Sequence, residues 1–565
     1  MTRRAGDRLL VSSHGFGHEA DGGQMTPTSG PTATGTRTTA GAVLITLASA
    51  QFLMALDSSV MNVSMATVAN DVDTSITGIQ TAITLYTLVM ASLMITGGKI
   101  GSMIGRRRAF AIGCVIYGCG SFVTGVAPTL PILLLGWSVL EGIGAALILP
   151  AIVALIAGNF PTPDRPRIYG LIAASGAVAV AVGPLLGGAT TTYGSWRWVF
   201  FGEVAVVAII LLLSRRIQDA PVTGGSRLDL VGTLLSVVGL GTAVFGVLRT
   251  SEWGWITPKP GAPALVGISL SFWSILLGLA VVWLFILWQN HLIGQHREPL
   301  LRPSIFANTR LTGGLLMFGF QFMLQAGVFF VIPLFLSVVL ELSAIETGLR
   351  VMPLSIALLI AAMGVPRMWP LASPRRVVRA GILLMLAGIL LLMSGIDLDA
   401  NAAVVGLPLL LVGLGMGALA SQLGAVTVSS VPTEQSGEVG GLQNTATNLG
   451  ASIGTALAGS IMIAALTASL VSGITQNPDV PVQVKSTATV TLAAGAPFIS
   501  DSELRSSMEA AGAMPTTIDA VVSENRSARI EGLDAALGVL ALLAVISLPL
   551  TGQLPSSTGV RNQNS

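Results

Sequence analysis

Charge is what this sequence has least of. Lysine, arginine, aspartate and glutamate make up 10% of its 565 residues, against roughly 25% in a water-soluble domain. That deficit excludes a soluble fold of this length. With 52% hydrophobic residues and a mean hydropathy of +0.78, the chain reads as a polytopic membrane protein. Its 29 basic residues nearly cancel 27 acidic ones, so no basic surplus points to nucleic acid. Cysteine is almost absent. Cys114 and Cys119 share one apolar run, five residues apart and on different helix faces, which reads as two small apolar side chains. The four histidines, His14, His18, His291 and His296, fall in a polar tail or a loop, so no metal site is expected in the membrane. No GxxxxGK[ST] or HExxH occurs, and the one string with the letters GxSxG, GASIG at 450–454, lies inside an apolar run and not at a strand-to-helix turn, which argues against nucleotide hydrolysis and against an enzyme altogether. No cofactor is implied. The one glycine-rich decoy, GLGMG at 413–417, lies inside an apolar run and reads as a packing stripe.

What is present is a series of apolar runs long enough to cross a bilayer, about 20 residues each. Fourteen are read, centred near 42–68, 77–98, 109–127, 131–157, 168–190, 197–213, 229–248, 266–288, 312–340, 346–365, 378–396, 402–430, 440–471 and 532–552. Arginines follow the even-numbered runs: Arg106, Arg107 and Arg108 after the second, Arg165 and Arg167 after the fourth, Arg215, Arg216 and Arg227 after the sixth. Arg297, Arg302 and Arg310 follow the eighth, and Arg367, Arg375, Arg376 and Arg379 the tenth. The short odd-numbered loops are nearly bare, so the positive-inside rule predicts both termini in the cytoplasm. The loop VPTEQSGEVGG, with Glu434 and Glu438 and no base, is assigned to the inside by parity alone. Residues 1–40 are expected to be a disordered cytoplasmic tail and not a signal peptide, with a second tail at 554–565. The polar stretch 472–531 is expected outside, as a weakly structured insert or, failing that, a cap over the outer mouth.

Polar groups inside these runs are costly and point to function. Asp57 interrupts FLMALDSSVMNVSMATV, with Gln51 and Asn62 as its nearest polar company in sequence. Glu141 and Glu203 lie in the fourth and sixth runs, where desolvation favours the neutral form of an acid. Gln321 and Gln325 are one turn apart on one face of the ninth run and are candidates to line the path of substrate or proton; Asn444 and Asn448 are similarly placed on the thirteenth, where hydrogen bonds between helices are expected. Arg350 is expected to pair with Glu341 or Glu346. Gly98, Gly101 and Gly105 share a helix side before Arg106–Arg108, which should anchor that end among inner headgroups. Pro184 removes a backbone donor among Gly183, Gly187 and Gly188.

Several stretches resemble one family in order. LDSSVMNVSMATVA (56–69), GGKIGSMIGRRRAF (97–110), GPLLGG (183–188), WRWVFFGEV (196–204), RLDLVGTLL, TGLRVMPLSIALLI (347–360) and LQNTATNLGASIGTALAG (442–459) are similar to signatures of the 14-span drug:proton antiporters of the major facilitator superfamily. The resemblance implies an all-α bundle: a six-helix half at 41–214, two inserted helices at 228–290, and a second six-helix half at 310–553. It implies a monomer in the plasma membrane that exports amphipathic compounds against protons by rocking of its halves. It puts Asp57 at the cavity, binding cationic substrate or proton. Glycines and arginines at 98–107 would control how the halves meet, and Gly183, Pro184, Gly187 and Gly188 would mark export. Four departures stand out. Ser102 replaces the family's aspartate, Ser138 replaces an arginine tied to proton coupling, and Glu141 and Glu203 stand where glutamine and asparagine are usual. Glu141 and Glu203 are then candidate auxiliary proton carriers. A dedicated exporter of a metabolite, lipid or siderophore fits the same signatures. So does a non-transporting membrane sensor descended from a transporter.

Overall fold

The computed structural model describes residues 33–74, 76–219, 228–398, 400–432, 435–482, 484–486, 492 and 496–556. Most of both predicted tails therefore lies outside the described residues. Among those described, fourteen helices are long and apolar enough to cross a membrane. Spans 1 to 6 are Ala40–Met61, Thr81–Ile104, Arg106–Gly125, Leu130–Asn159, Arg165–Thr191 and Arg197–Ser214. Spans 7 and 8 are Leu230–Thr250 and Leu270–Gly294. Spans 9 to 14 are Thr309–Val339, Ile345–Met368, Pro374–Gly395, Gly406–Ser429, Ser436–Gln476 and Pro515–Gln553. Helix is what a hydrocarbon environment demands, because every backbone donor and acceptor is then satisfied within its own segment.

The packing repeats itself. Span 1 lies against span 5, span 2 against span 4, and span 3 against spans 4 and 6. In the same pattern span 9 lies against span 13, span 10 against span 12, and span 11 against spans 12 and 14. Spans 7 and 8 form a hairpin whose first member leans on spans 2 and 13, at the seam between the two sets. The sets meet through span 5 on spans 10 and 12, and span 13 on spans 2 and 4.

Their close approaches gather toward the end that carries the arginines, called here the arginine face. A Cβ on Gly98 would collide with the Gly437 carbonyl oxygen. One on Gly440 would come within 2.7 Å of the Pro150 carbonyl, one on Gly441 within 2.8 Å of that of Met94, and one on Gly170 within 2.8 Å of that of Ala362. Deeper in, Ser355 Oγ donates to the Ala177 carbonyl at 3.1 Å.

The stretch 472–531 departs from expectation. The helices around it, Ser436–Gln476 and Pro515–Leu550, are 41 and 36 residues long and reach beyond a bilayer's needs. Leu466, Leu470, Ile474, Val480, Ala496, Val521 and Ala528 bury one another in a small core. The fully buried Arg529 seals it, pairing with Asp501 and donating to the carbonyls of Ile499 and Val338 at 2.9 and 3.2 Å. Glu341 accepts from the Ser502 amide at 3.0 Å, which holds its carboxyl below the usual range. The described part of the insert is thus docked on the end of span 9. Neither Glu341 nor Glu346 forms an ion pair with Arg350 among the described residues. Glu346 instead closes a capping box with Ser343.

Candidate functional site

Span 4 is not a regular helix throughout. Leu134–Glu141 winds as a π-helix, a form that recurs at functional sites. Trp137, Ser138 and Glu141 all lie on this stretch and all are buried. Span 3 crosses it closely. A Cβ on Gly120 would lie 2.6 Å from Glu141 Cγ, and one on Gly136 would lie 2.7 Å from the Thr124 amide, so the two glycines set this approach.

Asp57, Glu141 and Glu203 converge at this crossing. The first two are fully buried and the third is 2% exposed. One oxygen of each lies within 4.8 Å of those of the other two. Trp137 Nε1 donates to Asp57 Oδ1 at 2.8 Å, and its ring stacks on Tyr86 with centroids 5.1 Å apart. Thr124 Oγ1 donates to Glu141 Oε1 at 3.2 Å and Ser121 Oγ to Glu203 Oε2 at 2.9 Å. The opposite oxygens, Asp57 Oδ2, Glu141 Oε2 and Glu203 Oε1, are buried without a hydrogen-bond partner, as is the Tyr117 hydroxyl. No ion pair involves any of the three acids among the described residues. Two unit charges at that spacing repel by about 3 kcal/mol even at an effective dielectric of about 20. Three full charges cannot coexist there without protons or a cation. The search for metal ligands among histidines and cysteines missed this group, whose spacing would let it share one ion.

Ser138, at the position of the missing arginine, donates to the Ala82 carbonyl at 2.8 Å. It leaves no charge beside the acids. Asp57 takes its neighbours from spans 2, 3, 4 and 6, all in the first set. Gln51 is not its company, since it faces Gly176 of span 5. The Asn62 side chain lies outside the described residues. Gln321 and Gln325 stand apart on span 9, Gln321 with a buried, unpartnered Oε1. Asn444 and Asn448 donate to carbonyls of their own helix, at 2.9 and 2.8 Å, and so do not join helices through these bonds.

The remaining motif residues divide their tasks. Gly98 permits contact between the two sets, and Gly105 takes a φ of 102°, which only glycine adopts readily. Gly101 has ordinary room, with only Ala109 Cβ at 3.7 Å. Arg106 is buried and so does not reach the headgroups, while its amide and that of Arg107 donate to Asp219 at 3.0 and 3.2 Å. Gly183 and Gly187 let span 5 close on Ser59 and Val60, Gly188 meets nothing, and the Pro184 side chain lies outside the described residues. Sequence reasoning missed Lys99. Its ammonium lies 3.7 Å from Glu438 and 3.8 Å from Glu298. A lone lysine in an apolar helix is the signal that would have found it.

Comparison with known proteins agrees with this architecture. A family model described as Major Facilitator Superfamily matches residues 47–455. The chain is 31% identical to the puromycin resistance protein pur8 of Streptomyces alboniger, over 76% of this chain and 82% of that one. It is 29% identical to the cephamycin export protein CmcT of Amycolatopsis lactamdurans, over 74% and 84%. The solved structure of the proton:xylose symporter XylE matches with a TM-score of 0.55 and 12% identity, covering 93% of this chain and 97% of that one. At that identity the likeness speaks for the fold alone.

Proposed function

The chain belongs to the major facilitator superfamily, a family of membrane transporters and not of enzymes, and from that premise we propose that it exports amphipathic cationic or neutral compounds in exchange for protons. Relatives named for antibiotic resistance and export support the direction and the substrate class. The observation that carries the coupling is the buried group Asp57, Glu141 and Glu203, which forms no ion pair with a basic side chain among the described residues. An acid that must be protonated or paired exchanges a proton for a cation without a net burial of charge. The arginine face is the cytoplasmic one, both termini are inside, and the protein works as a monomer in the plasma membrane. The conformation described here is closed toward the cytoplasm, and rocking of the halves would open it.

A second reading, a dedicated exporter of one metabolite, is favoured by relatives named for single compounds, such as the tetracenomycin C resistance and export protein of Streptomyces glaucescens. A pump-deficient bacterial host expressing the chain separates the two. Raised tolerance to several unrelated cationic dyes and drugs is expected. Tolerance to one compound alone would favour the dedicated exporter, and tolerance to none would retire the export reading.

A further inference from the structure

We propose that Asp57, Glu141 and Glu203 act as one store that exchanges two protons per turnover, not three independent acids of which one carries a single proton. The inference rests on the export reading above. Its geometry is a pattern repeated three times: in each acid one oxygen is pinned by a donor from span 3 or 4, and the other is buried and free. Pinning by Trp137, Thr124 and Ser121 sets which oxygen remains. The free oxygens, Asp57 Oδ2, Glu141 Oε2 and Glu203 Oε1, belong to groups close enough that the charge on one bears on the protonation of the other two. The Tyr117 hydroxyl, fully buried and also without a partner, stands beside Asp57.

The titratable groups that face the cluster are Asp57 on span 1, Tyr86 on span 2, Tyr117 on span 3, Glu141 on span 4 and Glu203 on span 6. All are acids or phenols, so none lends a positive charge. The group then cycles between two states. Loaded from the far face, all three carboxyls are protonated and the site is neutral. Released toward the arginine face, two protons leave and one stays shared among the three acids, while the cationic substrate offsets one of the two charges. Trp137, Thr124, Ser121 and Tyr117 supply four donors, enough to solvate two ionised carboxylates. Full loss of protons would leave three charges against a single monovalent cation, a repulsion that the spacing makes costly. Each turnover therefore moves one net positive charge inward when the substrate is a monovalent cation.

The test uses the purified full chain in liposomes with ethidium as substrate. At clamped zero membrane potential, the pH difference that just stops ethidium flux down a fixed gradient gives the ratio. A two-proton exchanger balances at half the pH difference a one-proton exchanger needs. Wild type should balance at the lower value, and Glu141→Gln and Glu203→Gln should each double it. Wild-type balance at the one-proton value overturns the store. If ethidium does not move at all, the export reading fails, and infrared spectroscopy judges the store alone. Wild type should show a protonated-carboxyl band well above that of the Asp57→Asn, Glu141→Gln, Glu203→Gln triple variant. Equal bands would overturn it, including the case in which a bound metal cation replaces the protons.

Discussion

The Lys99 ammonium on span 2 lies 3.7 Å from the Glu438 carboxylate on span 13, with Glu298, from the chain joining spans 8 and 9, at 3.8 Å on its other side. One cation thus ties together both six-helix sets and the inserted segment, next to the point where Gly98 meets Gly437. In this chain Ser102 replaces the family's aspartate, and its hydroxyl donates only to the Lys99 carbonyl, at 2.7 Å. At the arginine face Lys99 thus sits between acids of both neighbours, with Arg302 also acting on Glu438.

Lys99→Met and Glu438→Gln should each weaken closure by about 1–2 kcal/mol, less than a fully buried, tightly bonded pair would lose. Aqueous maleimide labelling of Ser102→Cys, in a background lacking Cys114 and Cys119, reads this out. Labelling from the arginine face should rise several-fold in either variant. An unchanged rate would reduce the lysine to a passive contact.

Glycines of one motif should respond differently. Gly105→Ala forces a side chain into the left-handed region and should cost about 1 kcal/mol of stability. Gly101→Ala meets only the Ala109 methyl at ordinary distance and should be neutral. Gly98→Ala should keep the fold and lose transport, because its Cβ collides with the opposite half only when the arginine face closes. Melting temperature and dye efflux together distinguish the three. Equal losses at all three positions would contradict this division.

Sidedness follows from the arginines. Arg108→Cys should be labelled only from the cytoplasm and Ser506→Cys only from outside, both being exposed in the structure. Labelling in the reverse sense at either position refutes the orientation.

Arg529 is the anchor of the insert between spans 13 and 14. Arg529→Leu leaves Asp501 to Arg526 alone and frees the Ile499 and Val338 carbonyls, so the segment 496–531 should loosen at a cost of about 2 kcal/mol. Limited proteolysis from outside should then cut within it. The Glu341 contact has its own pH signature. Its carboxyl is held below the usual range by the Ser502 amide, so the contact contributes fully at neutral pH. It is lost only as pH falls below the ordinary glutamate range. Undocking at mildly acidic pH in the wild type would contradict that sign.

The fourteen spans were legible because hydrocarbon permits few alternatives to an apolar helix of bilayer length. Asp57, Glu141 and Glu203 were each legible as acids where acids are expensive. Their convergence was not, because residues 57, 141 and 203 are brought together by helix crossings that hydropathy does not encode. Gly120 and Gly136 set one such crossing, yet look like any other glycines among 66. Nor does the sequence show that the Trp137 indole, 80 residues away, donates to Asp57. Lys99 was hidden within a glycine motif, and its partner Glu438 had been assigned only by loop parity. The insert was misread because its apolar residues are scattered from Leu466 to Ala528 and gain a core only when two long helices bring them together.

Proton-coupled export is the central claim, and ethidium movement from proteoliposomes under an imposed pH gradient measures it most directly. Wild type should drive the dye against its concentration gradient when protons flow the opposite way, and collapse of the gradient should stop it. Asp57→Asn should lose at least about tenfold in rate, as expected when a coupling acid is replaced by a neutral isostere. Wild-type flux that ignores the pH gradient would contradict antiport and leave a facilitator, and an Asp57→Asn variant that keeps gradient-driven flux would remove the acid cluster from the mechanism.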